Sequence, residues 1–318
     1  MPCARRAVID IGTNSVKLLV AEVSGRDVNP LCEESKQTRL GRGLYETRRL
    51  QSEPIEHTAR AVAMFAATAR QLAADSVRVI ATSAARDATN PRDLLEAIQT
   101  AAGLPVEIIS GAQEADWAFQ GVTSIPELAQ QPLLLLDVGG GSTEFILGHG
   151  AHKDFSHSFP LGTVRWLEQQ PVSDPPTPAE LAACRKTLRD FFREEVCPKL
   201  ETELRQEKDF DPAHRCIHLV GSGGTASILA RLEAGLDHYD RARIEATRLS
   251  FARIQWQVER LWNLPLTERR ELSGMPKNRA DVILPGVVIY EAVMAEFGFG
   301  ELRVSTRGLR FAAVMDGA

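Results

Sequence analysis

Residues 133–148, LLLLDVGGGSTEFILG, place an aspartate and three consecutive glycines between two apolar runs. Glycine weakens a strand interior, because it has no side chain to pack and loses more conformational freedom on folding than other residues. A glycine-rich turn, however, lets the backbone approach an anion closely and direct several N–H groups at it. The stretch therefore predicts two strands joined by an anion-binding turn, and the usual anion at such turns is phosphate.

Residues 7–23, AVIDIGTNSVKLLVAEV, repeat this layout near the amino terminus. Aligned at one constant separation, the two stretches match residues of the same type: Asp10 with Asp137, Gly12 with Gly139, and Ser15 with Ser142. Neither stretch has the GxxxxGK[ST] or GxGxxG pattern that opens a helix in P-loop and dinucleotide-binding proteins, since strand-like alternation follows both turns. The repeat predicts a duplicated architecture of strand, glycine-rich turn and strand.

The rest of the chain reads as alternating strands and helices, which is typical of an α/β fold. Between the two repeats we predict a helix over 55–74, a strand over 76–84, a helix over 91–103 and a strand over 105–110. After the second repeat, a proline-rich linker leads into a helix within 174–196, and 216–232 reads as strand, glycine loop and helix. The final third is predicted to be largely helical, with 279–298 its most apolar part. Proline and polar residues around 125 suggest a boundary between domains 1–125 and 126–318.

Composition excludes several classes of protein. The 318 residues are 44% hydrophobic and 25% charged, with a net charge of −5, which argues against a broadly basic nucleic-acid binder. No apolar run reaches the roughly 18 residues that a membrane-spanning helix needs. The five scattered cysteines form no CxxC pair, so we expect neither a disulfide framework nor a zinc site, and a reducing cytoplasm as the location.

An aspartate beside a phosphate-binding turn needs a cation, because two bare negative charges would repel each other. Magnesium held largely through waters is the natural candidate, and manganese is a possible substitute. A third loop, VGSGG at 220–224, reads either as another phosphate contact or as a plain tight turn between strand and helix.

The chain resembles the Ppx/GppA family of exopolyphosphatases and guanosine pentaphosphate phosphohydrolases. The motifs that carry the resemblance follow in the family's order from about residue 7 to the carboxyl end: VIDIGTNSVKLLV, ATSAARDATN, IISGAQEADWAFQGV, LLLDVGGGSTEFILG, SFPLGTVRW, LVGSGGTASILA and RADVILPG. The resemblance implies two RNase H-like α/β domains, as in the actin, Hsp70 and sugar kinase superfamily, with the active site in the cleft between them. It allows the last helix of the second domain to pack back on the first.

The resemblance also assigns roles to residues. The phosphate-binding residues would be Gly12, Thr13, Asn14 and Ser15 in the first loop, Gly139, Gly140, Gly141, Ser142 and Thr143 in the second, and Gly221, Gly223 and Gly224 in the third. The magnesium site would comprise Asp10, Asp137 and Glu144, and the catalytic residues would be Glu114, Glu144 and Arg86.

Glu114 is the candidate general base. It follows the strand ending near 110, in the first turn of a helix that Ser110 caps with Gln113 as its capping-box partner. Without the resemblance, its role would be to complement the helix dipole; with it, Glu114 would deprotonate a water that attacks a terminal phosphoryl group. Arg86 suits a phosphate or a carboxylate equally, because both match the guanidinium fork.

The substrate is less determined than the reaction. Inorganic polyphosphate would be gripped by basic residues, for which two clusters are candidates: Arg39, Arg42, Arg48 and Arg49, and Arg269, Arg270, Lys277 and Arg279. Guanosine pentaphosphate fits the short, two-domain form equally well. A phosphate- or alarmone-binding regulator and a sugar or acetate kinase are further alternatives, which the three acidic residues and the Glu114 segment respectively disfavour. We expect a homodimer, for which 282–290 and 254–262 are apolar candidates, although either could instead belong to the core.

Overall fold

The computed structural model describes residues 4–200 and 217–316, which form two mixed β-sheets flanked by helices. Two of the five cysteines for which we expected no disulfide or zinc role, Cys3 and Cys216, lie outside the described residues.

The first sheet has the strand order β3-β2-β1-β4-β5. Its central strand β1 pairs antiparallel with β2, as the hairpin prediction required, and parallel with β4 on its other side. The strands are β1 (Ala4–Ile11), β2 (Ser15–Ser24), β3 (Asp27–Gln37), β4 (Ser76–Ala81) and β5 (Val106–Ile108).

The second sheet repeats this arrangement and adds one strand. Its order is β10-β11-β9-β6-β7-β8, with β6 antiparallel to β7 and parallel to β9. Read from β8, the first five strands have the same order and directions as the five of the first sheet, which confirms the predicted two-unit α/β fold. The strands are β6 (Leu133–Val138), β7 (Thr143–His149), β8 (His152–Phe159), β9 (His218–Ser222), β10 (Arg248–Ser250) and β11 (Glu301–Val304).

Helices connect and cover the strands. They are α1 (Leu44–Thr47), α2 (Ser52–Gln71), α3 (Ser83–Asp87), α4 (Pro91–Ala102), α5 (Gly111–Val122), α6 (Pro126–Ala129), α7 (Thr163–Gln169), α8 (Pro178–Phe191), α9 (Gly223–Ala234), α10 (Arg241–Ala246), α11 (Phe251–Trp262), α12 (Leu266–Arg269), α13 (Ile283–Phe297) and α14 (Leu309–Asp316). A π-helical segment, Phe192–Val196, directly follows α8.

Local sequence explains where the main helices begin and end. Thr177 caps α8 through a complete capping box with Glu180, and Gly103 ends α4 in the left-handed conformation that glycine adopts without strain. Ser110 accepts a hydrogen bond from the Gln113 backbone amide at the start of α5, which is one of the two bonds of the predicted capping box.

Two helices cross between the sheets. Helix α14, at the carboxyl end, packs against β1 and β2 of the first sheet and against α5. Helix α5 in turn buries Ala118, Phe119 and Val122 against β6, β7 and β9 of the second sheet. The boundary expected near residue 125 stays a prediction, since α5 and α14 join the two units into one structure.

The structure corrects one expectation, adds two short strands to a final third that is largely helical as predicted, and decides one alternative that the sequence left open. The strand expected over 76–84 ends at Ala81, because the chain turns into α3. Strands β10 and β11 interrupt the region expected to be helical. Of the two roles left open for the apolar segment 282–290, dimer contact or core, the structure provides the core: nearly all of it lies in α13, whose side chains pack with those of α11 inside the second unit.

Among the described residues, no helix is both long enough and apolar enough to cross a lipid bilayer.

Candidate active site

The two predicted phosphate loops meet in a cleft between the sheets. Each closes with the same backbone hydrogen bond, from Gly12 N to Ser15 O (3.0 Å) and from Gly139 N to Ser142 O (2.9 Å). Thr13 of the first loop packs directly against the second loop, and a Cβ on Gly141 would clash with the Thr13, Ser83 and Tyr45 hydroxyls. The close approach of the loops therefore requires glycine at 141.

Most of the predicted site residues line one cavity in this cleft. They are Asp10, Gly12, Thr13, Asn14, Ser15, Glu114, Asp137, Gly139, Gly140, Gly141, Ser142, Glu144 and Gly224. The elements that position them are the ends of β1 and β6, the beginnings of β2 and β7, and the first turns of α5 and α9.

Four predicted residues do not line this cavity. The Thr143 hydroxyl is fully buried and donates to Leu161 O at 2.5 Å, while Gly221 packs against the Tyr290 ring. Gly223, at φ +78°, sits against the Asp137 carboxylate, where any Cβ would clash. Arg86 reaches the cavity only through Glu114.

Asp137 and Glu144 are cross-strand neighbours on β6 and β7, so their side chains lie on the same face of the sheet. Burial raises the pKa of both carboxyls, and the repulsion from Glu114 and Asp137 raises that of Glu144 further. Ser158 Oγ donates to Glu144 Oε1 at 2.7 Å. Two acidic side chains held face to face, Glu144 buried and Asp137 partly buried, indicate a cation between or beside them.

Asp10 occupies the equivalent position in the first sheet, opposite Lys17. Its side chain is only 4% exposed, and Oδ1 is buried without a hydrogen-bond partner. Burial raises the pKa of Asp10, and the Lys17 charge opposes that shift. An unpartnered buried carboxylate oxygen aimed into a phosphate-binding cleft is a further indication of a cation.

The donor set fits magnesium. Asp10, Asp137, Glu144 and the neighbouring hydroxyls offer only oxygen atoms, the ligands that magnesium prefers. Within residues 4–200 and 217–316, no three histidine, cysteine, aspartate or glutamate side chains stand close enough together to ligate a metal directly. Magnesium usually keeps several waters and takes few protein ligands, so this arrangement suits an ion bound partly through water.

Glu114 lines the cleft cavity and is held by one arginine. Arg86 Nη1 donates to Glu114 Oε2 at 2.7 Å and to the Ile109 carbonyl at 3.1 Å. Burial raises the pKa of Glu114 to about 7, although the Arg86 charge acts in the opposite direction. The sequence left a phosphate or a carboxylate as the partner of Arg86, and in the structure the partner is the Glu114 carboxylate.

The cleft contains two cationic side chains beyond those predicted for it. The sequence motifs gave Lys17 no role and placed Arg279 in a separate basic cluster. Lys17 and Arg279 line the cavity, and neither forms an ion pair with any described residue. Burial lowers the pKa of both groups. The internal repeat held a signal for Lys17, because it aligns with Glu144 and therefore had to point into the same cleft.

The cleft continues into a second cavity beyond Lys17 and Arg279, which line both spaces. Polar and charged side chains surround the second cavity, including Arg231, Tyr239 and Arg310. Glu33 and Glu34 also line this cavity, and Glu33 pairs with Arg310, so the cavity offers space for a longer ligand between side chains of both charges.

The predicted basic clusters are mostly engaged elsewhere. Arg39 pairs with Asp281 at 2.8 Å, Arg42 with Glu53, and Arg49 with Asp93 at 3.9 Å. Lys277 pairs with Glu271 at 2.9 Å, and the buried Arg269 lies 3.7 Å from Asp174. Of the eight residues, Arg279 is the one that lines the cleft cavity, so the idea of two basic clusters gripping the substrate is not supported.

The duplicated α/β fold, with paired glycine loops facing acidic side chains across one cleft, is the arrangement of a phosphate-binding protein. The chain belongs to the Ppx/GppA phosphatase family, whose model matches residues 19–316. It is 34% identical over 320 aligned positions to Exopolyphosphatase 2 of Mycobacterium tuberculosis, with 96% of each chain covered.

Solved structures agree with this assignment. The Ppx/GppA family member of Aquifex aeolicus superposes with a TM-score of 0.77 at 30% identity, covering 99% of this chain and 97% of its own. An exopolyphosphatase from Cytophaga hutchinsonii superposes with a TM-score of 0.85 at 26% identity, covering 99% of this chain and 98% of its own.

Proposed function

We propose that this protein is an exopolyphosphatase, which hydrolyses the terminal phosphoanhydride bond of inorganic polyphosphate and releases orthophosphate. One observation carries the proposal: two phosphate loops and a partly buried glutamate, with a pKa raised to about 7, converge in one cleft. A group with a pKa near the working pH is suited to accept a proton during catalysis. Family membership and the name of the M. tuberculosis relative support the same reaction.

In this proposal, Glu114 accepts a proton from the attacking water while the water oxygen bonds to the terminal phosphorus. The bond between that phosphorus and the bridging oxygen breaks, and the shortened polyphosphate leaves with the bonding electrons. Backbone N–H groups of the loops around Gly12 and Gly140 stabilise charge on the equatorial oxygens. Arg86 orients the Glu114 carboxylate through its 2.7 Å hydrogen bond.

Magnesium, or manganese in its place, would supply positive charge to the phosphoryl oxygens when held near Asp10, Asp137 and Glu144. Lys17 and Arg279 are placed to bind the penultimate phosphates, because both are unpaired with the described residues and stand where the cleft opens into the second cavity.

The experiment is phosphate release in magnesium from long-chain polyphosphate and from guanosine pentaphosphate, side by side. The proposal is supported if the wild type releases phosphate from polyphosphate, Asp137→Asn abolishes this release, and the exposed control Asp27→Asn leaves it intact. Release from the nucleotide alone would make the protein an alarmone phosphohydrolase, and release from neither would favour a binding protein. Phosphate transfer to added glucose or acetate would indicate a kinase.

We also propose that the protein is a cytoplasmic homodimer. Because α13 is buried, a dimer would need another surface. In the other candidate segment, 254–262, Trp256 is exposed on α11 and lies between the side chains of Arg253 and Arg260. Light scattering of the wild type and Trp256→Ser tests this: a dimer that dissociates in the variant supports it, and a wild-type monomer refutes it.

A further inference from the structure

Helix α7 begins directly against the second phosphate loop and binds its carbonyl groups. Thr163 N donates to Gly139 O at 3.0 Å, and the amides of Val164 and Arg165 donate to Gly140 O at 2.8 and 3.0 Å. The third glycine carbonyl, Gly141 O, accepts a 2.7 Å hydrogen bond from Arg165 Nε. All three glycine carbonyls are therefore bound on the α7 side of the loop.

This arrangement matters for anion binding. In a trans peptide the C=O and N–H point in opposite directions, so carbonyls bound to α7 leave the following N–H groups facing away from α7. Carbonyl oxygens turned toward a phosphate would repel it, whereas N–H groups attract it. Arg165 is the side chain that fixes the last of these three peptides.

The same guanidinium reaches the first unit. Arg165 Nη2 binds the Asp87 carboxylate on α3, and its guanidinium carbon lies 4.1 Å from the centre of the Tyr45 ring. Asp87 directly follows Arg86, the residue that holds Glu114, and also accepts a hydrogen bond from Ser83 in the cavity wall. One turn further along α7, Glu168 accepts hydrogen bonds from the amides of Gly43 and Tyr45.

We propose that Arg165 is a positioning residue for the hydrolysis: it fixes the Gly141 carbonyl of the second phosphate loop and, with Glu168, clamps α3 and residues 43–45 of the first unit against that loop. The inference rests on the proposed function and deepens it. Arg165 touches no substrate in this scheme. It acts through the Gly141–Ser142 peptide, which belongs to the phosphate loop, and through α3, which carries Asp87 and the Arg86 that orients Glu114.

Arg165→Lys separates this role from a general contribution to stability. A lysine keeps one positive charge for Asp87, but a single ammonium cannot replace the guanidinium fork that reaches Asp87 and Gly141 O in two directions. We expect kcat for phosphate release to fall at least tenfold, with KM changed less than threefold, because a misplaced loop mainly costs transition-state stabilisation.

The matched control is Arg185→Lys. Arg185 is a partly buried arginine that binds Glu291 and Glu259 away from the cleft, so its replacement also weakens a guanidinium–carboxylate network. We expect its kcat and KM to match the wild type even if its melting temperature falls. Unchanged kcat in Arg165→Lys, or an equal loss in Arg185→Lys, would overturn the inference.

A second readout does not depend on hydrolysis. Hydrogen exchange of the Thr163, Val164 and Arg165 amides, which are bonded to the loop carbonyls, should be at least tenfold faster in Arg165→Lys and unchanged in Arg185→Lys. If the wild type released no phosphate from polyphosphate, the proposed function would fail, but the exchange result would still decide whether Arg165 fixes the loop. Unchanged exchange at these amides refutes the clamp.

Discussion

At Glu114, burial and one arginine act in opposite directions on a single carboxyl group. Burial raises its pKa to about 7, and Arg86 limits that rise. A general base works only when it is ionised, so kcat/KM should increase with pH up to about 7 and level off above it. Arg86→Gln removes the charge that favours the ionised form of Glu114, so the rise of kcat/KM should move to higher pH. The measurement is the pH dependence of kcat/KM for both proteins; a flat profile between pH 5 and 9, or an unmoved limb in the variant, contradicts the assignment.

Lys17 gives a prediction about binding rather than chemistry. As a desolvated cation without an ion-pair partner among the described residues, it is available for a substrate phosphate. A charge-assisted hydrogen bond contributes about 1.5–3 kcal/mol, so Lys17→Met should raise KM for polyphosphate by roughly 10- to 100-fold. Lys36→Met, on the exposed strand β3, is the control and should leave KM unchanged. Equal KM values in the two variants would remove Lys17 from the site.

Site residues whose roles depend on contacts between distant parts of the chain were the hardest to find from sequence. The phosphate loops were predictable because glycine and aspartate stand at fixed positions in a repeated strand–turn–strand pattern. Tyr45 and Arg165 gave no such signal, since their roles depend on α7 reaching across to the first unit. Arg86 was left between two partners until the fold placed Glu114 beside it.

The β6–β7 hairpin is the element that brings Asp137 and Glu144 face to face. Because two buried acidic groups destabilise the strand pair that carries them, a divalent cation should stabilise the protein. We expect magnesium at tenfold its Kd to raise Tm by about 2 °C. Asp137→Asn should have a higher Tm than the wild type without metal and lose the magnesium response, while Asp27→Asn keeps it. Thermal unfolding with and without EDTA checks this, and a magnesium response retained by Asp137→Asn would contradict it.

Strands differ in how clearly their sequence predicts them. Strands β1, β2, β6 and β7 each contain an apolar run of at least three residues next to a glycine-rich turn, so the sequence predicted them. Strand β3, DVNPLCEESKQ, was not, because as an edge strand it is largely exposed and mixes proline with charged residues. Strand β11 spans only Glu301–Val304, too short to show alternation, and gains its place by pairing between β9 and β10.

In the whole molecule, α14 ties the carboxyl terminus to the first sheet. Phe311 is fully buried in a cluster with Val8, Leu19 and Trp117, and so belongs to both the first sheet and α5. Phe311→Ala should therefore lower the free energy of unfolding by about 3–5 kcal/mol. Urea unfolding provides the measurement, with Tyr239→Ala at a largely exposed site as the control. A loss below about 1 kcal/mol for Phe311→Ala would mean that α14 is not part of the core.

The central claim is that two duplicated phosphate loops hold a polyphosphate end while Glu114 activates the attacking water. Its most direct test is magnesium-dependent phosphate release from polyphosphate by the wild type, Glu114→Gln and the exposed control Glu127→Gln. Removing a general base costs about 10²–10⁴ in rate, so Glu114→Gln should bind polyphosphate as the wild type does yet lose at least a hundredfold in kcat, while Glu127→Gln stays unchanged. Turnover by Glu114→Gln near that of the wild type would contradict the account.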